Sequence, residues 1–265
     1  MVALKRSSHC SSFFRSVKET ESRALLLDYD GTIAPFNVVR DRALPYPSVL
    51  ELLDNIMTCG STRVVLITGR SAKELESLLK HGPCPEIWGT HGLERLKPDG
   101  AYEAVEGDHR QNLELAQAEA WLVSEGLSDL AEVKPGAIAL HWRGLDPAVM
   151  NEARTAAYRV WWPIADRAGL KLEEFDGGLE LRLAARNKGD AVRTILREMG
   201  EPSVAAYLGD DRSDEDAFRA LRETDLGVLV RTECRNTSAD LWVKPPDELL
   251  QFLIDWANAC GGELC

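Results

Sequence analysis

The apolar run Ala24-Leu25-Leu26-Leu27 ends in Asp28-Tyr29-Asp30-Gly31-Thr32. This ending constrains the fold more than any other stretch of the chain. A short apolar run without alternation reads as a strand buried on both faces. Two acids at i and i+2 then leave its carboxyl edge, where open α/β sheets bind ligands. A second run, Val204-Ala205-Ala206-Tyr207-Leu208, leads into Gly209-Asp210-Asp211-Arg212-Ser213-Asp214-Glu215-Asp216. Two acidic clusters at two strand ends suggest one divalent-cation site and one nucleophile.

The surrounding pattern supports a doubly wound sheet. Strands at 24–27, 63–67 and 85–88 alternate with helices near 48–58 and from Ser71, where Ser71 and Glu74 have capping-box spacing. The middle of the chain reads differently. Helix-like segments at 108–125 and 146–168, the second interrupted or ended by Pro163, precede hairpins turning at Pro135-Gly136 and Gly177-Gly178. Strand–helix alternation then returns, with Asn187 capping a helix whose Ala191, Val192, Ile195, Leu196 and Met199 share one face. The expected fold class is α/β. A Rossmann-like, doubly wound parallel-sheet core is built from residues 21–107 and 186–265, and an inserted α+β cap of order αββαββ occupies 108–185. Residues 1–20 are read as an N-terminal tail.

Charge limits the partners. Against 31 basic residues stand 43 acidic ones, a net charge of -12, which repels nucleic acid and anionic membranes. An anionic substrate therefore needs local positive charge from a metal or placed Lys and Arg. The six cysteines are scattered without a C-x-x-C pair, as expected of reduced thiols. No segment approaches the roughly 18 apolar residues of a membrane span, and residues 1–21 lack an apolar signal core. A soluble, cytoplasmic protein with no evident obligate protein partner is expected.

The first acid pair suits phosphate chemistry. An aspartate that attacks phosphorus splits one slow hydrolysis into two easier steps. Asp28, closing the strand, is the candidate nucleophile. Asp30 is placed to protonate a leaving alcohol and then activate water. Gly31 admits close backbone approach to a phosphate, and Thr32 offers a hydroxyl. The same residues also fit a solvated Asp-x-Asp-Gly turn, and the second cluster weighs against that reading. Mg²⁺ prefers oxygen ligands and usually only one or two carboxylates. Asp28, the Asp30 carbonyl and Asp210 can supply three such oxygens, with Asp211 or Asp214 orienting a coordinated water. Thr68-Gly69-Arg70 opens a helix where phosphate is favoured, although a plain strand–helix turn has the same letters. Lys188 stands at a helix start, where the macrodipole disfavours a cation. That misplacement suggests pairing with Asp28 and a phosphate oxygen, the alternative being a surface lysine. Parity puts Glu132, Lys134, Ala139, His141 and Arg143 on one face of the first hairpin, and Val133, Ile138, Leu140 and Trp142 on the other. Glu180 and Arg182 alternate with leucines in the second hairpin. Such a mixed polar face suits sugar hydroxyls plus a phosphate, or is an ordinary solvated sheet face.

Assembled in this order, the chain resembles the haloacid-dehalogenase-like phosphatases, and within them the trehalose-6-phosphate phosphatase family. The resemblance rests on Asp28 to Thr32, Thr68-Gly69-Arg70, Lys188-Gly189 and Gly209 to Phe218, together with Gly89-Thr90-His91-Gly92-Leu93-Glu94. It implies Asp28 as nucleophile, Asp30 as general acid/base, Thr68 and Lys188 on phosphate, and Mg²⁺ on Asp28, Asp30 and Asp210. It also places Gly69, Arg70 and His91 near the substrate. Disaccharide contacts are implied at Glu132, Lys134, Arg143 and Glu180. His141-Trp142-Arg143 and Leu181-Arg182-Leu183-Ala184 depart from the usual family letters, which bears on sugar preference more than on chemistry. The implied substrate is a small sugar phosphate, trehalose 6-phosphate first. Sucrose phosphate, a glycosyl phosphoglycerate and a non-catalytic phosphosugar sensor are the alternatives.

Overall fold

The computed structural model describes residues 8–58, 62–79, 85–175 and 177–261. Cys59, Cys84 and Cys265 lie outside them, while Cys10, Cys234 and Cys260 are free thiols. In chain order the elements begin α1 (Ser8–Glu19), β1 (Ser22–Leu27), α2 (Val49–Thr58), β2 (Thr62–Ile67), α3 (Ala72–Leu78), β3 (Glu86–Trp88), β4 (Glu94–Leu96) and β5 (Tyr102–Ala104). Then follow α4 (His109–Ser124), β6 (Ala131–Lys134), β7 (Ala137–His141), α5 (Pro147–Ala168), β8 (Leu170–Phe175) and β9 (Gly178–Leu183). The chain closes with α6 (Lys188–Met199), β10 (Ser203–Gly209), α7 (Glu215–Phe218), β11 (Leu226–Val230), β12 (Leu241–Val243) and α8 (Asp247–Ala259). Chain contacts divide it into two compact units, Met1–Tyr102 with Asn187–Cys265, and Glu103–Arg186.

The first unit is organised by an eight-stranded sheet of order β12-β11-β10-β1-β2-β3-β4-β5. Its strands from β12 to β3 pair in parallel, and β4 runs antiparallel to β3. The apolar runs lack alternation because both faces are covered. Leu25 and Leu27 of β1 join Val64, Leu66, Ala206, Leu208 and Val228 in one core cluster with residues of α1, α2 and α8. Ala24 and Leu26 join Val65, Ile67, Ala205 and Tyr207 in a second cluster with Ala191, Val192 and Ile195 of α6. Strand order reverses between β1 and β10, whose register pairs Leu27 with Leu208. Both acidic loops therefore leave the sheet side by side at its switch point.

The second unit holds a four-stranded antiparallel sheet of order β6-β7-β9-β8. Cross-strand register places Glu132, Ala139, Glu180 and Glu173 in one row, and Val133, Ile138, Leu181 and Leu172 in the next. The polar and apolar faces follow the expected parity, although Val133 on edge strand β6 is largely exposed.

Three expectations are corrected. Residues 8–19, assigned to a tail, form helix α1, whose Phe13 and Val17 are buried. Phe13 lies 6.0 Å from the Trp256 ring and 5.7 Å from Phe14. Helix α5 runs through Pro163. The missing N–H removes one ladder bond, and the buried Trp161, Ile164 and Ala165 on either side hold that turn in place. The second hairpin turns one residue early, since Gly178 is already in β9.

Phe13→Ala should lower the unfolding free energy by about 3 kcal/mol, as aromatic deletions in cores do. The urea midpoint measures this, and an unchanged midpoint would mean that α1 does not dock.

Candidate active site

Asp28 follows β1, its N–H bonded to the Leu208 carbonyl at 2.9 Å. Asp210 follows β10, and Lys188 opens α6, whose first turn is closed by reciprocal bonds between Asn187 and Asp190. With the cap supplied by these two side chains, Lys188 is released from the helix surface. Its Nζ donates to Asp28 Oδ1 at 2.7 Å and to Asp214 Oδ1 at 2.8 Å, with all three residues buried. Thr32 Oγ1 donates weakly toward Asp28 Oδ2 at 3.4 Å and Asp210 Oδ1 at 3.3 Å. Carboxylate oxygens of Asp28, Asp210 and Asp214 lie within 4.8 Å of one another.

Glycine is required where these loops meet. A Cβ on Gly31, whose φ is 85°, would stand 2.3 Å from Asp210 Oδ2. One on Gly209 would stand 2.4 Å from Asp214 Cγ.

Electrostatics show what the cluster lacks. Three buried carboxylates face one buried ammonium and, 3.9 Å from Asp210 Oδ2, the partly exposed Arg231 guanidinium, which leaves negative charge in excess if all are ionised. Burial pushes the Asp28 carboxyl up to about 7; Lys188 opposes the rise, and Asp214 and Asp30 add to it. Burial, then Asp28 and Asp214, drive Asp210 well above the carboxylate range. Burial disfavours the Lys188 charge, but Asp214 and Asp28 more than offset that and raise its pKa. A hard divalent cation fits this donor set, because it is all oxygen, buried and short of positive charge.

Within the acidic set the roles diverge. Asp214 accepts from Lys188 Nζ, Tyr207 Oη at 2.5 Å, and the backbone N–H groups of Asp210 and Asp211 at 2.9 and 2.8 Å. A carboxylate has about four acceptor sites, so Asp214 is filled by the protein and anchors the loop. Asp28 and Asp210 are the members with acceptor capacity left for a cation. Asp211 is partly exposed and closes a capping box with Asp214.

The second segment is held against the fifth by backbone. His91 N–H donates to the Thr68 carbonyl at 2.9 Å, and Thr90 N–H to the Arg70 carbonyl at 2.7 Å. Thr90 and His91 have φ of 46° and 56°, a conformation that costs energy for such residues and marks functional turns. The His91 ring lies against Gly69, 2.9 Å from where a Cβ would be. Thr68 Oγ1 accepts the Arg70 N–H at 3.1 Å. Arg70, expected near the substrate, turns its buried guanidinium to Asp30, with Nε–Oδ2 at 2.6 Å and Nη2–Oδ1 at 2.7 Å.

In the second unit, Glu132, Lys134, His141 and Glu180 form one network. His141 Nε2 and Glu132 Oε2 are 2.9 Å apart, Lys134 Nζ is 3.7 Å from Glu132 and ion-paired to Glu180, and Arg182 Nε is 3.6 Å from Glu180 Oε2. Lys134, Glu180 and Arg182 are buried, which an ordinary solvated face would not give. Arg143 lies beyond the end of β7, beside Gly177.

Sequence reasoning missed Tyr207, Arg231 and Arg235. Tyr207 carried a signal, since a lone hydroxyl in an apolar run needs a buried partner. Arg231 Nη1 and Arg235 Nε donate to the Asp210 carbonyl at 3.2 and 3.3 Å, and Arg235 Nη2 to the Asp211 carbonyl at 2.7 Å. No motif marks either arginine.

Known proteins resemble this chain in sequence and in fold. A probable trehalose-phosphate phosphatase of Arabidopsis thaliana is 28% identical over 272 residues, covering 93% of this chain and 76% of its own. The fold matches the C-terminal domain of trehalose-6-phosphate phosphatase from C. albicans with a TM-score of 0.76 at 20% identity, over 96% of this chain and 97% of that one. It also matches a haloacid dehalogenase-like hydrolase from B. subtilis, with a TM-score of 0.60 at 14% identity, over 88% and 97%. The profile of the trehalose-phosphatase family matches residues 26–244, from within β1 to just past β12 and through every segment that builds the acidic cluster, and the chain belongs to that family.

Proposed function

We propose that the chain is a Mg²⁺-dependent phosphatase that converts trehalose 6-phosphate to trehalose and phosphate through an aspartyl-phosphate on Asp28, in the cytoplasm. The observation that carries this reading is the buried Lys188 bridge between Asp28 and Asp214, with Asp210 beside it. A merely structural ion pair needs no third buried carboxylate, and the cations facing the cluster, Lys188 and the partly exposed Arg231 3.9 Å from Asp210 Oδ2, do not balance all three.

Asp28, the Asp30 carbonyl and Asp210 are the residues assigned to Mg²⁺, which when bound supplies charge neutralisation at the phosphoryl group. Lys188 and Thr68 hold the phosphate oxygens, and Lys188 fixes which Asp28 oxygen is left to react. The other Asp28 oxygen attacks phosphorus as the bond from phosphorus to the sugar oxygen breaks. That oxygen keeps the electron pair and takes a proton from Asp30. Water then gives a proton back to Asp30 and attacks phosphorus, and the bond to Asp28 breaks to release phosphate. Sugar recognition is assigned to Glu132, Lys134, Arg143 and Glu180. Their pattern of anchored charges suits hydroxyl groups that need both donors and acceptors.

The purified chain should release phosphate from trehalose 6-phosphate faster than from sucrose phosphate, glucosyl phosphoglycerate or glucose 6-phosphate, and EDTA should stop it until Mg²⁺ is restored. Phosphate release from none of them would end the enzyme reading and leave a sensor. Asp28→Asn should abolish turnover with a native circular-dichroism spectrum; turnover that survives would remove Asp28 as nucleophile. Glu180→Gln should cut kcat/KM for trehalose 6-phosphate about tenfold or more, the worth of one lost charged hydrogen bond, and leave glucose 6-phosphate nearly unaffected. An equal loss on both would assign Glu180 to the fold.

A further inference from the structure

Glu74 serves helix α3 with its backbone and something else with its side chain. Its N–H is accepted by Ser71 Oγ at 3.2 Å. Capping-box spacing would return its carboxylate to the cap, yet that carboxylate meets Arg70 Nη1 at 2.6 Å and Arg40 Nη2 at 3.1 Å. Arg70 gives its Nε and Nη2 to the two oxygens of Asp30, and Nη2 also reaches the Arg40 carbonyl at 3.2 Å. The Arg70 guanidinium is 3% exposed and stands 5.6 Å from the Tyr29 ring centroid. Two cations and two anions thus form a closed chain from the 40–42 turn through α3 to Asp30.

We propose that Glu74 and Arg40 are positioning residues that act through Arg70 to hold the Asp30 carboxylate in the orientation from which it protonates the departing sugar oxygen. This rests on the phosphatase reading above. A carboxylate rotates easily about its terminal torsion, and a single hydrogen bond leaves that rotation open. The parallel fork from one guanidinium fixes its plane. Each Asp30 oxygen keeps a second lone pair, so the restraint leaves room for the proton. Arg70 is itself a long side chain with several rotamers, and Glu74 and the Arg40 carbonyl are what hold its far end. Glu74 is attached to a helix, whereas Arg40 belongs to the long β1–α2 connection. The orientation of Asp30 is therefore tied to the seating of that connection.

The test compares leaving groups in the full-length protein with Mg²⁺. A sugar alkoxide needs a proton to depart; p-nitrophenolate and acetate, from p-nitrophenyl phosphate and acetyl phosphate, do not. The readout is kcat/KM, which ends at the first irreversible step and so excludes breakdown of the aspartyl-phosphate. Glu74→Gln should lower kcat/KM about tenfold or more for the sugar phosphate that wild type uses best, within the range general acid catalysis supplies. The two activated phosphates should change by less than about threefold, and Glu74→Asp should restore most of the loss. Equal losses on all three substrates, or no loss on the sugar phosphate, would overturn the proposal. If Glu74→Gln loses its cooperative thermal transition, Arg40→Ala carries the same comparison. Wild type that releases phosphate from no sugar phosphate would instead defeat the phosphatase reading, a result visible before any variant is made.

Discussion

The ammonium of Lys188, buried between Asp28 and Asp214, is the contact on which the site depends. A lone buried cation would be too costly to keep charged. Here two carboxylates hold it charged, and the third carboxylate of the cluster, Asp210, is faced only at 3.9 Å by the partly exposed Arg231 among the described residues. The resulting excess of negative charge makes the cluster receptive to a divalent cation. The same ammonium therefore orients the Asp28 carboxylate and sets the local charge balance. This explains why a cation stands at a helix start in spite of the macrodipole. The two carboxylates facing it supply more favourable potential than the first turn removes.

Around that centre the backbone is held as tightly as the side chains. Asp214 collects the N–H groups of Asp210 and Asp211 while Arg231 and Arg235 collect their carbonyls. Glu215 then ties Arg235 to Thr237 and Ser238. The loop after β10 is thus fixed from both polar edges of its peptide groups. On the other side, the strained Thr90–His91 turn fastens Thr68 and Arg70 through main-chain bonds alone. Elements that share no sequence neighbourhood are locked within hydrogen-bonding distance, which is what preorganisation for a charged substrate requires.

Much of this was legible in the chain. Unalternating apolar runs followed by acids marked β1 and β10 and the edge where they open, because burial on both faces and the switch-point rule leave few other readings. Lys188 was legible through its wrong place on a helix. What stayed hidden was hidden for physical reasons. Strands β4 and β5 are three residues each, too short for a period to appear. Helix α1 looked like a tail because its apolar anchors, Phe13, Phe14 and Val17, are few in a polar stretch. Pro163 read as a break, yet tertiary burial of Trp161 and Ile164 overrides local preference. Arg70 was read toward phosphate because a lone Arg after a strand carries no mark of its partner. That Asp30 and Glu74 occupy it depends on contacts across 40 and 4 residues, and only the second spacing is visible locally.

The register that pairs β1 with β10 sets the timing of chain synthesis. Leu27 emerges from the ribosome 181 residues ahead of its partner Leu208. Until then β1 has a neighbour on the β2 side only, and the apolar edge of Ala24–Leu27 stays open. Such an edge invites pairing with foreign strands. The edge stays open while the whole intervening unit is translated, and the acidic cluster is completed late, when Lys188 and the loop after β10 arrive together.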